Sequence, residues 1–172
     1  GNTMRRRVED LDNAGGAVVA WVDGRYSSDG DIFAQRIDSL GNPVWQVDGV
    51  PVCTASAIQW EPMVALNNNG SAFITWGNDY RNGNLDVYAQ LVDSLGSIKW
   101  DVDGKAIVVD SNDQRPSTHV LPNLTCGGII GWVDELISSM QHVQYFDSAG
   151  NYIWADTGVY TGNYDFLCAD DN

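Results

Sequence analysis

Three groups of side chains in this sequence have the types and spacing to do chemistry. Asp29-Gly30-Asp31 and, 55 residues further on, Asn84 and Asp86 with Asn82 place oxygen atoms in polar loops. Flexible, oxygen-rich loops suit Ca²⁺, which takes six to eight oxygen ligands. Neither loop has the spacing of a twelve-residue calcium loop, so solvated turns are the plainer reading and no cofactor is otherwise expected. Trp60 and Glu61 form the second group: an aromatic ring beside a carboxylate suits contact with a sugar, though packing is the plainer reading. The third group is the histidines, His119 and His142, which stand apart from each other and from any nucleophile motif. No G-x-S-x-G elbow, H-E-x-x-H or phosphate loop occurs. The 23 acids offer carboxylate pairs of the glycosidase kind, but nothing in the sequence selects one pair. No catalytic residue is assigned, and an enzyme is not expected.

The 55-residue shift between the two oxygen-rich loops extends far beyond them. The segment DIFAQRIDSLGNPVWQVDGVPV at 31–52 returns as DVYAQLVDSLGSIKWDVDGKAI at 86–107 and, altered, as MQHVQYFDSAGNYIWADTGVY at 140–160. Trp21 and Trp76, Gln35 and Gln90, Gly41 and Gly96, Trp45 and Trp100, and Asp48 and Asp103 are each 55 apart. The third copy follows at Trp132, Gln144, Gly150 and Trp154, two residues having been lost between its first Trp and its Gln. A period of this length marks an array of small supersecondary units. The chain therefore divides into units of about 4–58, 59–113 and 114–168 within one repeat domain spanning 1–172.

Each unit reads as β throughout. GGAVVAWVD, SAFITW and GGIIGWVD are short, β-branched apolar runs that suit strands covered on both faces. After a polar loop, DIFAQRID or DVYAQLVD completes a hairpin. DSLG, DSLG and DSAG are the next tight turns, Asp bonding its own backbone and Gly supplying positive φ. NPVWQV, SIKWDV and NYIWAD are predicted as a third strand, closed by Asp48-Gly49 or Asp103-Gly104. A fourth strand is predicted in RRRVEDLDNAG, WEPMVALNNNG and RPSTHVLPNLT. No segment carries helical periodicity over ten residues. The expectation is an all-β chain of tandem four-stranded antiparallel sheets, about three propeller-like blades, with no substantial helix.

The combination AWVDGR, DIFAQRID, LGNPVW and DGVPVC resembles the repeats of predicted β-propeller regions in secreted bacterial proteins, and DSLGNPVW is loosely similar to the Asp-box of sialidase-type propellers. The resemblance runs from about residue 4 to 168 and bears on the repeat type rather than on an activity. The third copy departs from it: WVDELISSMQHVQYFD keeps the Trp and Gln but has no Arg after its Asp. Closed propellers have four to eight blades, and about three cannot close a ring. The resemblance therefore implies either further blades in a longer chain or pairing of open blade edges with other copies, giving a ring, an oligomer or a filament.

Residues that recur once per unit serve the unit. Trp21, Trp45, Trp76, Trp100, Trp132 and Trp154 are expected in the stacked core, and Gln35, Gln90 and Gln144 as buried amides tying neighbouring strands or blades. Asp23 with Arg25 and Asp79 with Arg81 are expected to pair in the hairpin loops. The net charge of −14 repels phosphates, so nucleic acid is not expected as a partner. No apolar run of about 18 residues exists, and no membrane span is expected. The opening GNTMRRRVED suggests a processed or excised chain. Cys53, Cys126 and Cys168 have no metal-ligand spacing and leave one thiol over after any internal disulfide, whose pair stays open. Sequons at Asn69 and Asn123, with the Asn, Asp, Gly and Trp richness, favour an extracellular or cell-surface location. The functional expectation is a structural or assembly repeat module. A carbohydrate-binding or carbohydrate-active propeller, with glycan as partner, is the alternative.

Overall fold

Period-two patterning on short β-branched runs decides which side of each strand meets which neighbour. In the middle unit, Ala72, Ile74, Trp76, Tyr88 and Val92 share one apolar cluster with Val18, Ala20, Val22, Ile32 and Val50 of the first. The residues between them, Phe73, Val87, Ala89 and Leu91, join Ile130, Trp132 and Phe146 of the third. The middle sheet is thus covered on both faces, as its uninterrupted apolar runs require.

The structure is a computed structural model describing residues 5–11, 14–26, 28–109, 111–122, 127–134, 140–155 and 158–162. Among these residues there is no helix. The first sheet comprises β1 (Arg5–Leu11), β2 (Ala17–Asp23), β3 (Asp31–Ile37) and β4 (Val50–Cys53). The second comprises β5 (Trp60–Leu66), β6 (Ala72–Asp79), β7 (Asp86–Val92) and β8 (Lys105–Val108). The third comprises β9 (Gln114–Pro122), β10 (Gly128–Asp134), β11 (Met140–Phe146) and β12 (Val159–Gly162). Every sheet is an antiparallel meander in chain order. The equivalent pairs Val19↔Gln35, Ile74↔Gln90 and Ile130↔Gln144 keep one register in all three. Strand β5 lies against β1 and β2, and β9 against β5 and β6, so the sheets stack in succession with their first strands together. The architecture is all-β, a run of four-stranded propeller-like sheets.

One predicted element differs. The segments around Trp45, Trp100 and Trp154 are loops, touching the sheets only at the isolated bridges Ile37↔Pro43, Val92↔Ile98 and Phe146↔Tyr152. The fourth ladder position is filled instead by β4, β8 and β12, which follow the Asp-Gly turns. Asp48 and Gly49 have φ of 68° and 91°, and Asp103 and Gly104 have 62° and 89°. The Gly49 N–H donates to the Gln46 carbonyl and the Gly104 N–H to that of Asp101, each at 3.0 Å. Two left-handed residues in a row reverse the chain after the Trp segment, and that segment's backbone groups are satisfied by a side chain rather than by a ladder.

Candidate functional site

That side chain is the repeated glutamine. Gln35 accepts the Trp45 N–H at 2.9 Å and donates to the Gln46 carbonyl at 2.7 Å. Gln90 does the same with Trp100 and Asp101, at 2.9 and 2.8 Å. Gln144 accepts the Trp154 N–H at 3.3 Å and donates to Ala155 at 2.6 Å. The tie lies within each unit, between its third strand and its own Trp loop, and each amide uses both ends. It sets the height at which the following indole leaves the sheet.

The indoles held in this way dock on the next unit. Trp45 Nε1–H donates to the Ser94 carbonyl at 3.1 Å, and Trp100 Nε1–H to the Ser148 carbonyl at 3.0 Å. Each ring covers the turn glycine two residues beyond its acceptor. A Cβ built on Gly96 would come within 2.8 Å of Trp45, and one on Gly150 within 3.0 Å of Trp100. Both glycines have positive φ, 86° and 80°, so two constraints exclude a side chain there. The turn is fixed by its first residue: Asp93 Oδ1 accepts the N–H groups of Leu95 and Ser97, and Asp147 Oδ1 those of Ala149 and Asn151. These bonds hold the Asp93 and Asp147 carboxyls below the usual carboxylate range, with the Ser97 backbone N–H the largest cause for Asp93 and the Asn151 side chain for Asp147.

The first tryptophan of each unit is placed differently. Trp21, Trp76 and Trp132 stack on Phe33, Tyr88 and His142, with ring centroids 6.2, 6.2 and 5.5 Å apart. Each covers the turn glycine of its own unit: a Cβ on Gly49, Gly104 or Gly158 would lie 2.6, 2.2 or 2.5 Å from the indole Cη2. His142 is therefore a packed ring in an aromatic position. In the first unit the Trp21 Nε1–H donates to Asp23 at 2.9 Å, and Arg25 binds the same carboxylate while lying over the Phe33 ring. Burial pushes the Asp23 carboxyl up, but the hydrogen bonds from Arg25 and Trp21 outweigh it and hold the group low. Arg81 lies over Tyr88 at 3.7 Å; the Asp79 side chain is outside the described residues.

The remaining candidates are spread over hairpin ends. Asp29 and Asp31 belong to the first sheet, Asn84 and Asp86 to the second. Asp86 accepts from the side-chain amides of Asn82 and Asn84 at 2.9 and 3.3 Å. Asp31 is buried and its Oδ2 has no partner among the described residues. Burial, then the charges of Asp23, Asp103 and Asp29, raise its carboxyl above the ordinary value. Among the described residues, no three His, Cys, Asp or Glu side chains are grouped to hold a metal ion. Trp60 is 40% exposed, and its Nε1–H donates to the Asp29 carbonyl at 3.2 Å, joining the second unit to the hairpin loop of the first. Glu61 beside it sits at φ 58° in the irregular start of β5. Cys53 is buried, while Cys126 and Cys168 lie outside the described residues.

Three contributors escaped the sequence reading. Gln59 and Gln114, 55 apart, are both buried at the start of their sheets; the period itself could have revealed them. Asp103 accepts the Thr54 N–H at 2.8 Å across the first junction. The acceptors of the docking indoles are main-chain carbonyls, which leave no side-chain signature.

No family model matches the chain, and no curated protein matches it. Among solved structures, the endo-arabinase from Bacteroides thetaiotaomicron VPI-5482 is similar with a TM-score of 0.47 and 16% identity, over 95% of this chain and 58% of the other. The chain thus spans little more than half the length of that enzyme. The class its own topology defines is a tandem array of four-stranded propeller-like sheets.

Proposed function

We propose that the chain is an extracellular structural and assembly module, non-catalytic, that works by stacking successive sheets. The observation that supports this reading is the repeated docking of Trp45 and Trp100 on the following unit. The repeated Gln, the first Trp of each unit, and Trp45 and Trp100 are engaged in building their sheets or joining them to the next, and catalytic groups seldom come in equivalent copies. The −14 charge is consistent with a partner other than nucleic acid. The resemblance to repeats of secreted bacterial proteins supports the location. Sedimentation of the purified chain over a range of concentrations tests the reading, a defined oligomer, ring or fibre being the expected result. A glycan array and a polysaccharide hydrolysis screen test the alternative, for which the exposed Trp60 beside Glu61 speaks. A specific hit there, with a chain that stays single at every concentration, would reverse the order of the two.

A further inference from the structure

The docking contact recurs at both junctions between the three units, and the first and third units each hold one half of it. At the C-terminal end, Trp154 is clamped by Gln144 like its two counterparts, and its ring rests edge-on against Tyr145 at 5.7 Å on the outward face of the third sheet. It is 37% exposed, against 5% for Trp45. At the N-terminal end, the Asp38–Asn42 turn has the same geometry as the two occupied turns. Asp38 Oδ1 accepts the N–H groups of Leu40 and Asn42 at 2.9 and 2.8 Å, and Gly41 has φ 82°. Where Gly96 and Gly150 carry an indole, a Cβ on Gly41 would meet nothing within 4 Å among the described residues.

We infer that Trp154 of one copy occupies the turn at Ser39–Gly41 of a second copy of this chain, donating its Nε1–H to the Ser39 carbonyl. The inference rests on the assembly reading above and names the residues that execute it. The occupant is a second copy because the two halves have the shapes of the partners they lack. The ring presented is the one seated at Gly96 and Gly150, and the vacant turn repeats theirs bond for bond. The new junction continues an interface the chain already forms twice. Such a contact is heterologous, so it grows head to tail and either closes or propagates. Exposed Pro43 and Val44 at the first turn, and Ile153 and Val159 beside Trp154, supply apolar surface for the same junction.

Two variants test it. Trp154→Arg removes the ring from an exposed site, and Gly41→Asn fills the turn with a residue that tolerates positive φ. Neither touches the core, and unchanged thermal unfolding of each at low concentration verifies the fold. Sedimentation velocity from low micromolar to near-millimolar chain is expected to show wild type assembling and each variant weakened at least about tenfold. A mixture of the two variants restores one productive junction, Trp154 of the Gly41→Asn chain on the intact turn of the Trp154→Arg chain. The mixture should form a two-chain species and stop there. Wild type that assembles with both variants unaffected overturns this junction while leaving the assembly reading in place. Wild type that stays a single chain throughout overturns both, and assigns the vacant turn to a repeat elsewhere in a longer polypeptide.

Discussion

The first and second units each carry two tryptophans over two turn glycines, and the two pairs do opposite things. Trp76 lies on Gly104 of its own unit, whereas Trp100 lies on Gly150 of the next. The first kind is buried wherever its unit stands in the chain: Trp21, Trp76 and Trp132 are 7%, 0% and 4% exposed. The second kind follows its neighbour, from 5% at Trp45 to 37% at Trp154. One residue type over two kinds of glycine turn therefore serves both the unit itself and its joint to the next. The position of the residue decides which: the second indole stands on a Gln-clamped loop between its own sheet and the next, Trp100 touching both Phe73 and Phe146, while the first stays in a strand.

The largest effect expected from this contrast is at Trp76. Trp76→Ala should cost about 3–5 kcal/mol of unfolding free energy, since it empties a site between two sheets. Chemical denaturation measures it, and a loss under 1 kcal/mol would remove the distinction drawn here. Gln90→Leu should cost about 1–3 kcal/mol, because the N–H of Trp100 and the carbonyl of Asp101 lose their partner together. It should also expose Trp100 to a fluorescence quencher while leaving Trp76 shielded.

Acid separates the two sites next. Asp38, Asp93 and Asp147 all titrate below their ordinary value, with the Asn42 side chain the largest cause for Asp38. A carboxyl lowered on folding stabilises fully above its unfolded value near 3.9, and that contribution disappears as pH falls through the lower folded value. Below about pH 4 the turns under Trp45 and Trp100 should loosen before the pocket of Trp76. Trp-resolved fluorescence between pH 5 and 2 reads the order; simultaneous loss would contradict it. Asp31 runs the other way. Its raised carboxyl is penalised when ionised, a penalty relieved as pH falls through the folded value, so Asp31→Asn should be neutral or stabilising at pH 7, while Asp86→Asn should destabilise by faced amides. Paired thermal melts check this. The smallest effect on the single chain is at the end of the array: Trp154→Ala should change its stability by no more than about 0.5 kcal/mol, as measured by denaturation at low concentration.

The sheets were legible in the sequence because their signal is local. Nearly continuous β-branched apolar runs at 17–23, 72–76 and 128–134, repeated at an interval near 55 residues, name the strands without reference to anything distant. The segment NPVWQV misled for the same reason. Its apolar residues look like a strand, and only the Gln35 side chain, ten residues earlier, and two consecutive left-handed residues after it take it out of the ladder. The Gln and Trp landmarks identified the components of the junction, but not which unit each serves. That depends on contacts 48 and 49 residues apart through peptide carbonyls. Asp31 and Asp86 align in the repeat, yet Asp86 is held by two amides and Asp31 is buried with one carboxylate oxygen unpartnered among the described residues, a difference of neighbours that composition alone does not express.

A joint made to the main chain has a consequence for how such proteins can vary. Because Trp45 and Trp100 bond to peptide oxygens and lie on glycines, the residue between them in each receiving turn carries none of the contact. Leu95 and Ala149 occupy that place, and Leu95 is 83% exposed. The outward lettering of the turns can drift from copy to copy, as Ala149 already shows, while the fit between neighbours stays the same. A surface of this kind can be rewritten for new company without disturbing what holds the stack upright.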